Sequence, residues 1–328
     1  MILAGDIGGT NARLALYNVR HGGFELVAVN VFPSRRYSGL DQIVAEFVAS
    51  AGAQPAQACF GVAGPVTNGR VEASNLPWII ESARLARELK LPKATLINDL
   101  EATGWGVGGL SPTDLVCLTD AKATVLGNQA IIAAGTGLGE GGLYWDGSRH
   151  HVFASEGGHC DFAPLNDLEV ELWKYLFARY GHVSYERIVS GPGLVNVFDF
   201  LRDTGRGVPP AWLVNDMKRM DPAAVISRAG VEAKCPMCEQ ALDIFVSVYG
   251  AEAGNLALKL KATGGVFIAG GIAPKILPKL TTPVFVEAFL SKGRLRHLME
   301  LMPLKIITND KLGLLGAARC ALYESAAA

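Results

Sequence analysis

A chain of 328 residues has room for about two domains, and its 50% hydrophobic and 19% charged residues exclude a disordered protein. Thirty basic and 31 acidic side chains leave a formal charge of −1, which gives no general attraction to nucleic acid or to an anionic membrane. We therefore expect small-molecule substrates, and neither nucleic acid nor a membrane as a partner.

The cysteines and the N-terminal residues bear on the cellular compartment. Six cysteines are scattered along the chain, unlike the dense pattern of a disulfide-stapled secreted domain. The N-terminal residues do not resemble a signal peptide, and no apolar run approaches the ~18 residues of a membrane span. We expect a soluble protein of the cytoplasm.

The first predicted element is a hairpin. The runs 2–7 and 12–17 have strand length and composition, and glycines lie between them in the string Gly5-Asp6-Ile7-Gly8-Gly9-Thr10-Asn11. A turn this poor in side chains exposes backbone N–H groups, which form a concavity suited to an anion. The hypothesis is that this anion is a phosphate.

Strands and helices alternate along the rest of the chain, which indicates an α/β or α+β class. A second strand–turn–strand unit, with its turn at Gly135–Gly139, follows the first by about 130 residues and suggests two related lobes facing one ligand. In chain order we predict strand 24–32, helix 38–50 with Ser38 and Asp41 as a partial capping box, strand 58–66, a hairpin at Asn68-Gly69, helix 79–90, strand 94–97, strands 129–134 and 142–145, helices 167–179 and 193–202, a helix opened by Asp221 and Pro222, a long core helix over 242–260, strand 266–269, a third glycine turn at Gly270-Gly271, strand 304–308 and helix 313–323.

Two nucleotide-binding motifs are tested first. Gly137, Gly139 and Gly142 satisfy G-x-G-x-x-G, but a strand rather than a helix is predicted after them, so the dinucleotide-binding geometry is missing. No G-x-x-x-x-G-K-[ST] string occurs, which removes the P-loop class. Asp6 either caps its turn or, close to phosphates, holds Mg²⁺ through water.

Six segments resemble the bacterial glucokinase family, within the actin, hexokinase and Hsp70 superfamily, and they occur in the family's order. The likeness covers nearly the whole chain. The segments are Gly5–Arg13, Leu96–Leu100, Ala134–Gly139, Glu156–Pro164, Glu186–Asn196 and Gly264–Ile272.

The resemblance implies a catalytic base and a sugar site. Asp99 matches the family's base, and a carboxylate within hydrogen-bond reach can accept the proton of a sugar hydroxyl as the γ-phosphoryl arrives. Glu156, His159 and Glu186, with Asn98, match its sugar-binding residues, and their groups complement hydroxyls that both donate and accept. The alternatives are that Asn98-Asp99 caps a helix and that His159 is structural.

The resemblance also implies ATP as phosphoryl donor, with Mg²⁺ neutralising phosphate charge. Glycine lets the backbone approach a nucleotide closely, and ordinary turns are the alternative for each glycine. The residues implied in nucleotide binding are Gly5, Asp6, Ile7, Gly8, Gly9, Thr10, Asn11, Gly135, Thr136, Gly137, Gly139, Gly270 and Gly271, with Asp6 also as the residue that would hold Mg²⁺ through water.

The sequence gives weaker support for a chemical role of the other reactive side chains. Cys235 and Cys238 have no second pair at zinc spacing and open a helix outside any thioredoxin-like pattern. His150 and His151 are adjacent, so on a strand they face opposite ways. Cys160 has only proximity to His159 in its favour as a nucleophile.

The family implies an α/β, two-lobed, actin-like (ribonuclease H-like) fold with mixed sheets and an interlobe cleft where ATP and sugar meet. We expect a small domain of residues 1–108 rejoined by 303–328, a large domain of 109–302, and a homodimer. The implied reaction is transfer of the ATP γ-phosphoryl to the 6-hydroxyl of glucose. Two alternative functions stay open: a kinase for another hexose, and a sugar-sensing protein without turnover. ADP and polyphosphate stay open as alternative phosphoryl donors.

One departure from the family is the segment 74–78, where relatives often carry Thr-Asn-His-Thr-Trp.

Overall fold

The chain is described from a computed structural model, for residues 1–20, 23–73, 76–119, 121 and 126–326. It divides into two units. The first comprises Met1–Pro112, Val152–Ala154 and Asn309–Ala328, and the second comprises Thr113–His151 and Ser155–Thr308.

The strands are numbered in chain order. They are β1 (Ile2–Ile7), β2 (Asn11–Arg20), β3 (Gly23–Pro33), β4 (Gln57–Val62), β5 (Val66–Thr67), β6 (Arg70–Glu72), β7 (Ile79–Glu81), β8 (Thr95–Asn98), β9 (Leu115–Cys117), β10 (Gln129–Ala134), β11 (Leu138–Trp145), β12 (His150–Ser155), β13 (Gly265–Ala269) and β14 (Leu304–Ile307).

The α-helices are numbered in the same way. They are α1 (Leu40–Ala51), α2 (Ser82–Leu89), α3 (Asp99–Val107), α4 (Asp167–Tyr180), α5 (Gly191–Asp203), α6 (Ala211–Met217), α7 (Pro222–Val231), α8 (Pro236–Leu260), α9 (Leu277–Leu280), α10 (Pro283–Leu290), α11 (Arg296–Met299) and α12 (Leu312–Ala326). None of the helices in the described part of the chain is long and apolar enough to cross a membrane.

The first unit is built on a mixed sheet in the order β3-β2-β1-β4-β8. Strand β1 is antiparallel to β2 and parallel to β4. Alternate residues of β1 enter two different cores: Leu3 and Ile7 pack into one, and Ile2 and Ala4 into the other, which includes α12. Asp6 has the parity of Ile2 and Ala4, so its position lies on the α12 side of the sheet.

The second unit is built on a sheet in the order β12-β11-β10-β13-β14-β9. Strand β10 is antiparallel to β11 and parallel to β13, so this sheet repeats the hairpin and parallel neighbour that surround β1. The long helix α8 packs beside it, and the hydroxyl of its fully buried Tyr249 lies 3.3 Å from the carbonyl oxygens of both Ile132 and Ala269, which share its single proton. The core of this unit therefore holds β10 and β13 at a fixed spacing.

Several predicted elements differ from the structure near the first sheet. The predicted helix 79–90 begins only at Ser82, because residues 79–81 pair with β6 as a strand. The predicted capping box at Ser38 and Asp41 is wrong, since α1 has Gly39 as its N-cap with no side-chain cap. The predicted strand 58–66 ends at Val62, shortly before Gly64 with its φ of 137°.

The C-terminal strand also differs. The division into domains at 108 and 303 stays a prediction, and it places the strand 304–308 in the small domain. It pairs instead with β13 in the second unit's sheet, with Ile306 opposite Ile268. Leu304 and Ile306 are fully buried in the second unit's core, and this apolar burial accounts for the placement.

Candidate active site

The first glycine turn, Gly8–Thr10, joins β1 to β2 in the first unit. The Gly8 N–H donates to the carbonyl of Asn11 at 3.0 Å. Ser34, fully buried, donates its hydroxyl to the Gly8 carbonyl at 2.8 Å, and its N–H donates to the Thr10 carbonyl at 3.0 Å. Ser34 thus stabilises the turn through two hydrogen bonds and leaves the Thr10 side chain exposed. No motif near the turn points to Ser34, which lies 24 residues after Thr10 in sequence.

Asp6 lies on β1 next to this turn. A Cβ at Gly313, at the start of α12, would stand 3.3 Å from the Asp6 carboxyl carbon, so the helix start covers this side chain. Burial raises the pKa of Asp6, and the charge of Arg13 opposes that rise. Arg13 donates to the Asp310 carbonyl at 2.9 Å, which ties the start of α12 to the hairpin.

Asn98 and Asp99 stand where β8 ends and α3 begins. Asn98 is the N-cap: its side-chain oxygen accepts from the Leu100 N–H at 2.9 Å, and its amide donates to the Gly64 carbonyl at 3.1 Å. Asp99 is exposed, and its Oδ1 also accepts from the Leu100 N–H at 2.9 Å. The capping alternative thus holds for Asn98, and the exposed Asp99 stands at the positive end of the helix dipole.

The second glycine turn lies in the second unit and is shorter than predicted. Strand β11 begins at Leu138, so Gly139 is a strand residue opposite Ala133, and only Gly135–Gly137 remain in the turn. The Gly135 N–H donates to the Gly137 carbonyl at 2.8 Å, and the Gly135 carbonyl accepts from the Gly191 N–H at 2.8 Å. The turn is therefore attached to the start of α5, with Thr136 exposed.

The third glycine turn lies next to the second. Gly270 follows β13 with a φ of 88°, and a Cβ there would overlap the carbonyl oxygen of Ala134 at the end of β10. Around Gly271 such an atom would meet nothing within 4 Å. Two glycine turns thus stand together at the carboxyl ends of two parallel strands, which is where α/β sheets commonly bind ligands.

The structure brings together the three proposed sugar-binding residues of the second unit. Glu156 and His159 are exposed and belong to one short turn, in which the His159 N–H donates to the Glu156 carbonyl at 3.0 Å. His159 Nε2 stands 3.9 Å from Glu186 Oε1. The other oxygen of Glu186 accepts from the Leu138 N–H at 2.9 Å, so this carboxylate is fixed on the first residue of β11.

The remaining candidate residues are buried or make contacts typical of structural residues. Cys235 and Cys238 are buried, and the described residues contain no group of three or more His, Cys, Asp or Glu side chains that could hold a metal. His150 contacts the Gly127 carbonyl and His151 the Asp146 carboxylate, as expected for side chains that face opposite ways. In the segment 74–78, residues 74 and 75 lie outside the described residues, and Trp78 is buried.

The sequence and fold were compared with known proteins. The sequence profile of the glucokinase family matches residues 3–324. The glucokinase of Trichormus variabilis is 43% identical over 337 aligned residues, which cover 98% of each chain. The crystal structure of a glucokinase from an Antarctic psychrotroph has a TM-score of 0.86 at 31% identity and covers 98% of each chain.

A more distant structure supports the fold alone. A ROK family glucokinase from Streptomyces griseus, solved with glucose and AMPPNP, has a TM-score of 0.66 at 20% identity, over 98% of this chain and 99% of that one. The predicted α/β fold of the actin-like kinases is confirmed by these neighbours. With a profile match over almost its full length and a relative at 43% identity, the chain belongs to the glucokinase family.

Proposed function

We infer that this chain transfers the γ-phosphoryl group of ATP to the 6-hydroxyl of glucose. The observation that carries this inference is the glucokinase family match over residues 3–324, together with a glucokinase relative at 43% identity over 98% of the chain. The chain is accordingly an ATP-dependent hexose kinase, and the residue roles below are our proposals.

Asp99 is the proposed general base. A base must be ionised and accessible before it can accept the hydroxyl proton, and Asp99 is exposed at the N-terminus of α3, where the helix dipole favours a negative charge. Because Asn98 already provides the N-cap, the helix does not depend on Asp99 for this function. Asn98 is itself a proposed sugar-binding residue, since an amide oxygen and nitrogen can each accept or donate one further hydrogen bond.

Glu156, His159 and Glu186 are the proposed sugar-binding residues of the second unit. Two carboxylates and an imidazole near one another offer acceptors and a donor to neighbouring hydroxyls. Glu186 is held by the Leu138 N–H and so needs little reordering when a ligand arrives.

The three glycine turns are the proposed nucleotide-binding elements, with Gly5–Asn11 and Gly135–Gly139 at the phosphates and Gly270-Gly271 on the adenosine side. Asp6 fits a magnesium ion, since a partly buried carboxyl whose negative form is disfavoured gains from a nearby cation. When bound, Mg²⁺ would neutralise phosphate charge. From family resemblance alone we also propose a homodimer in the cytoplasm.

Purified protein in a coupled assay tests the function directly. We expect turnover with ATP and glucose, and a kcat/KM for glucose above those for mannose, fructose and N-acetylglucosamine. The same assay with ADP and polyphosphate tests the donor. Faster turnover of another hexose would reassign the substrate, and sugar binding without turnover of any hexose would indicate a sensor.

A further inference from the structure

A buried acid lies directly beneath the turn that carries Glu156 and His159. Glu140, on β11, is only 1% exposed, and a Cβ at Gly157 would overlap its Oε2. A Cβ at Gly158 would overlap the carbonyl oxygen of Leu138, the residue two positions earlier on the same strand. Both glycines thus pack tightly against β11, Gly157 on the Glu140 carboxyl group and Gly158 on the Leu138 backbone, so Glu140 supports the turn at Gly157.

Glu140 faces a second buried acid. Its carboxyl lies within hydrogen-bonding range of Glu252 on α8, which is fully buried. Glu252 accepts from the Asn255 amide at 2.8 Å and from Lys259 at 3.4 Å. The Oε1 of Glu140 has no hydrogen-bond partner among the described residues.

The surroundings of Glu140 disfavour its charged form. Burial first, and then the charge of Glu252, raise the pKa of Glu140 to about 8, with Lys259 opposing. Two carboxylates in one buried site cannot both be ionised without strong repulsion.

The same cluster reaches the second sugar-binding segment. Asn255 donates to the hydroxyl of Tyr185 at 2.9 Å, and Tyr185 immediately precedes Glu186. Lys292 donates to the Asn255 side-chain oxygen at 2.6 Å. One polar cluster, made of Glu140, Glu252, Asn255 and Tyr185, thus contacts both the turn of Glu156 and His159 and the segment of Glu186.

We propose that Glu140 is a positioning residue, which holds the turn of Glu156 and His159 at the height needed for sugar binding through a proton shared with Glu252. This inference rests on the proposed function, since it assumes that those residues bind glucose. Glu140 itself is buried beneath the turn and acts through Glu156 and His159.

The proposal predicts a pH dependence of sugar affinity. Below about pH 8 the pair keeps its proton, and above it a second negative charge appears beneath Gly157, repels Glu252 and displaces the turn. The glucose KM of the native chain therefore rises as the pH increases through about 8. The charged and titratable groups that face or adjoin Glu140 are Tyr249, Glu252 and Lys259 of α8, Tyr185, Lys292, and the exposed Glu156 and His159 of the turn itself.

The test compares two variants with a matched control. Glu140→Gln keeps the shape and a donor for Glu252 but cannot ionise, so we expect a native glucose KM at pH 7 and no rise at pH 9. Glu140→Ala leaves a void beneath the turn, and we expect the glucose KM to rise by about 10-fold or more, with a smaller change in kcat. Glu169→Gln is the control, because Glu169 is also buried but its carboxylate accepts from the Leu165 N–H and the Asn166 amide at the start of α4; it should keep the native pH profile.

The possible outcomes distinguish a failure of this inference from a failure of the proposed function. An alkaline rise in Glu140→Gln equal to that of the native chain would overturn the shared proton, and this comparison stands even if Glu140→Ala does not fold. An unchanged glucose KM in a folded Glu140→Ala would overturn the positioning role. If His159→Ala and Glu186→Ala also bind glucose normally by titration calorimetry, the proposed sugar site itself is wrong.

Discussion

Gly137→Ala provides a sharp test of how Glu186 is held. A Cβ at Gly137 would stand 2.5 Å from Glu186 Oε2, which now accepts from the Leu138 N–H at 2.9 Å. Since real contacts of this kind are at least 3.0 Å, the carboxylate must move by about half an ångström. The carboxylate is the end of a flexible side chain, so its movement changes the free energy of unfolding little. The same movement weakens its hydrogen bond from the Leu138 N–H strongly.

The magnitude follows from that hydrogen bond. Bonds to charged groups contribute about 1.5–3 kcal/mol, and losing about half of this predicts a roughly 3- to 10-fold rise in glucose KM. We expect the melting temperature to change by only a few degrees, at about 1–2 °C for each kcal/mol in a chain of this length. Steady-state kinetics with glucose and ATP varied separately would measure both KM values.

Gly191→Ala is the matched control. Its Cβ would meet the Gly135 carbonyl oxygen at 3.6 Å and Ala223 Cβ at 3.7 Å, which are ordinary contacts, so native kinetics are expected. A Gly137→Ala enzyme whose KM rises for ATP alone would refute the reasoning, because the glycine would then serve the nucleotide and not the position of Glu186.

Two further substitutions test individual residues. Glu186→Ala removes the acceptor of the Leu138 N–H and the neighbour of His159, so glucose KM should rise by about 10-fold or more while kcat changes less; an unchanged KM would remove Glu186 from the sugar site. Asp6→Asn keeps the shape of the side chain but removes its negative charge, so the Mg²⁺ concentration for half-maximal activity should rise several-fold. This rise corresponds to a loss of about 1 kcal/mol of binding free energy. An unchanged Mg²⁺ requirement would argue against a role of Asp6 in holding the ion.

The sequence predicted best those features that local patterns determine. Both glycine-turn hairpins are present, and Asn68-Gly69 forms the predicted two-residue turn with positive φ at both residues. The long apolar helix is α8 and buries the predicted face. These elements follow from residues that are close in sequence.

The predictions from sequence are wrong or missing where the structure depends on contacts between residues that are distant in sequence. The predicted helix 79–90 includes residues 79–81, but these form a strand because they pair with β6. Strand 304–307 carries no local mark of its sheet, and only its pairing with β13 places it. Ser34, which fixes the first turn, could not be assigned from its neighbours in sequence.

Glu140 was missed although a signal was present. A lone acid in an otherwise apolar and glycine-rich strand is unusual, because glutamate is rarely buried without a partner. Its partner Glu252 lies more than 100 residues away in an apolar helix, and sequence alone could not pair them. Acids that interrupt buried elements are therefore worth noting as candidates even when no motif includes them.

The central claim is that Asp99 accepts the proton of the sugar hydroxyl, and Asp99→Asn tests it most directly. The amide keeps the shape but cannot act as a base, so kcat should fall by roughly 10²-fold or more, since general bases commonly contribute about 10²- to 10⁴-fold. Glucose affinity, measured by titration calorimetry on the same sample, should stay within a few-fold of the native value. A variant that binds glucose normally and turns over at the native rate would contradict the account.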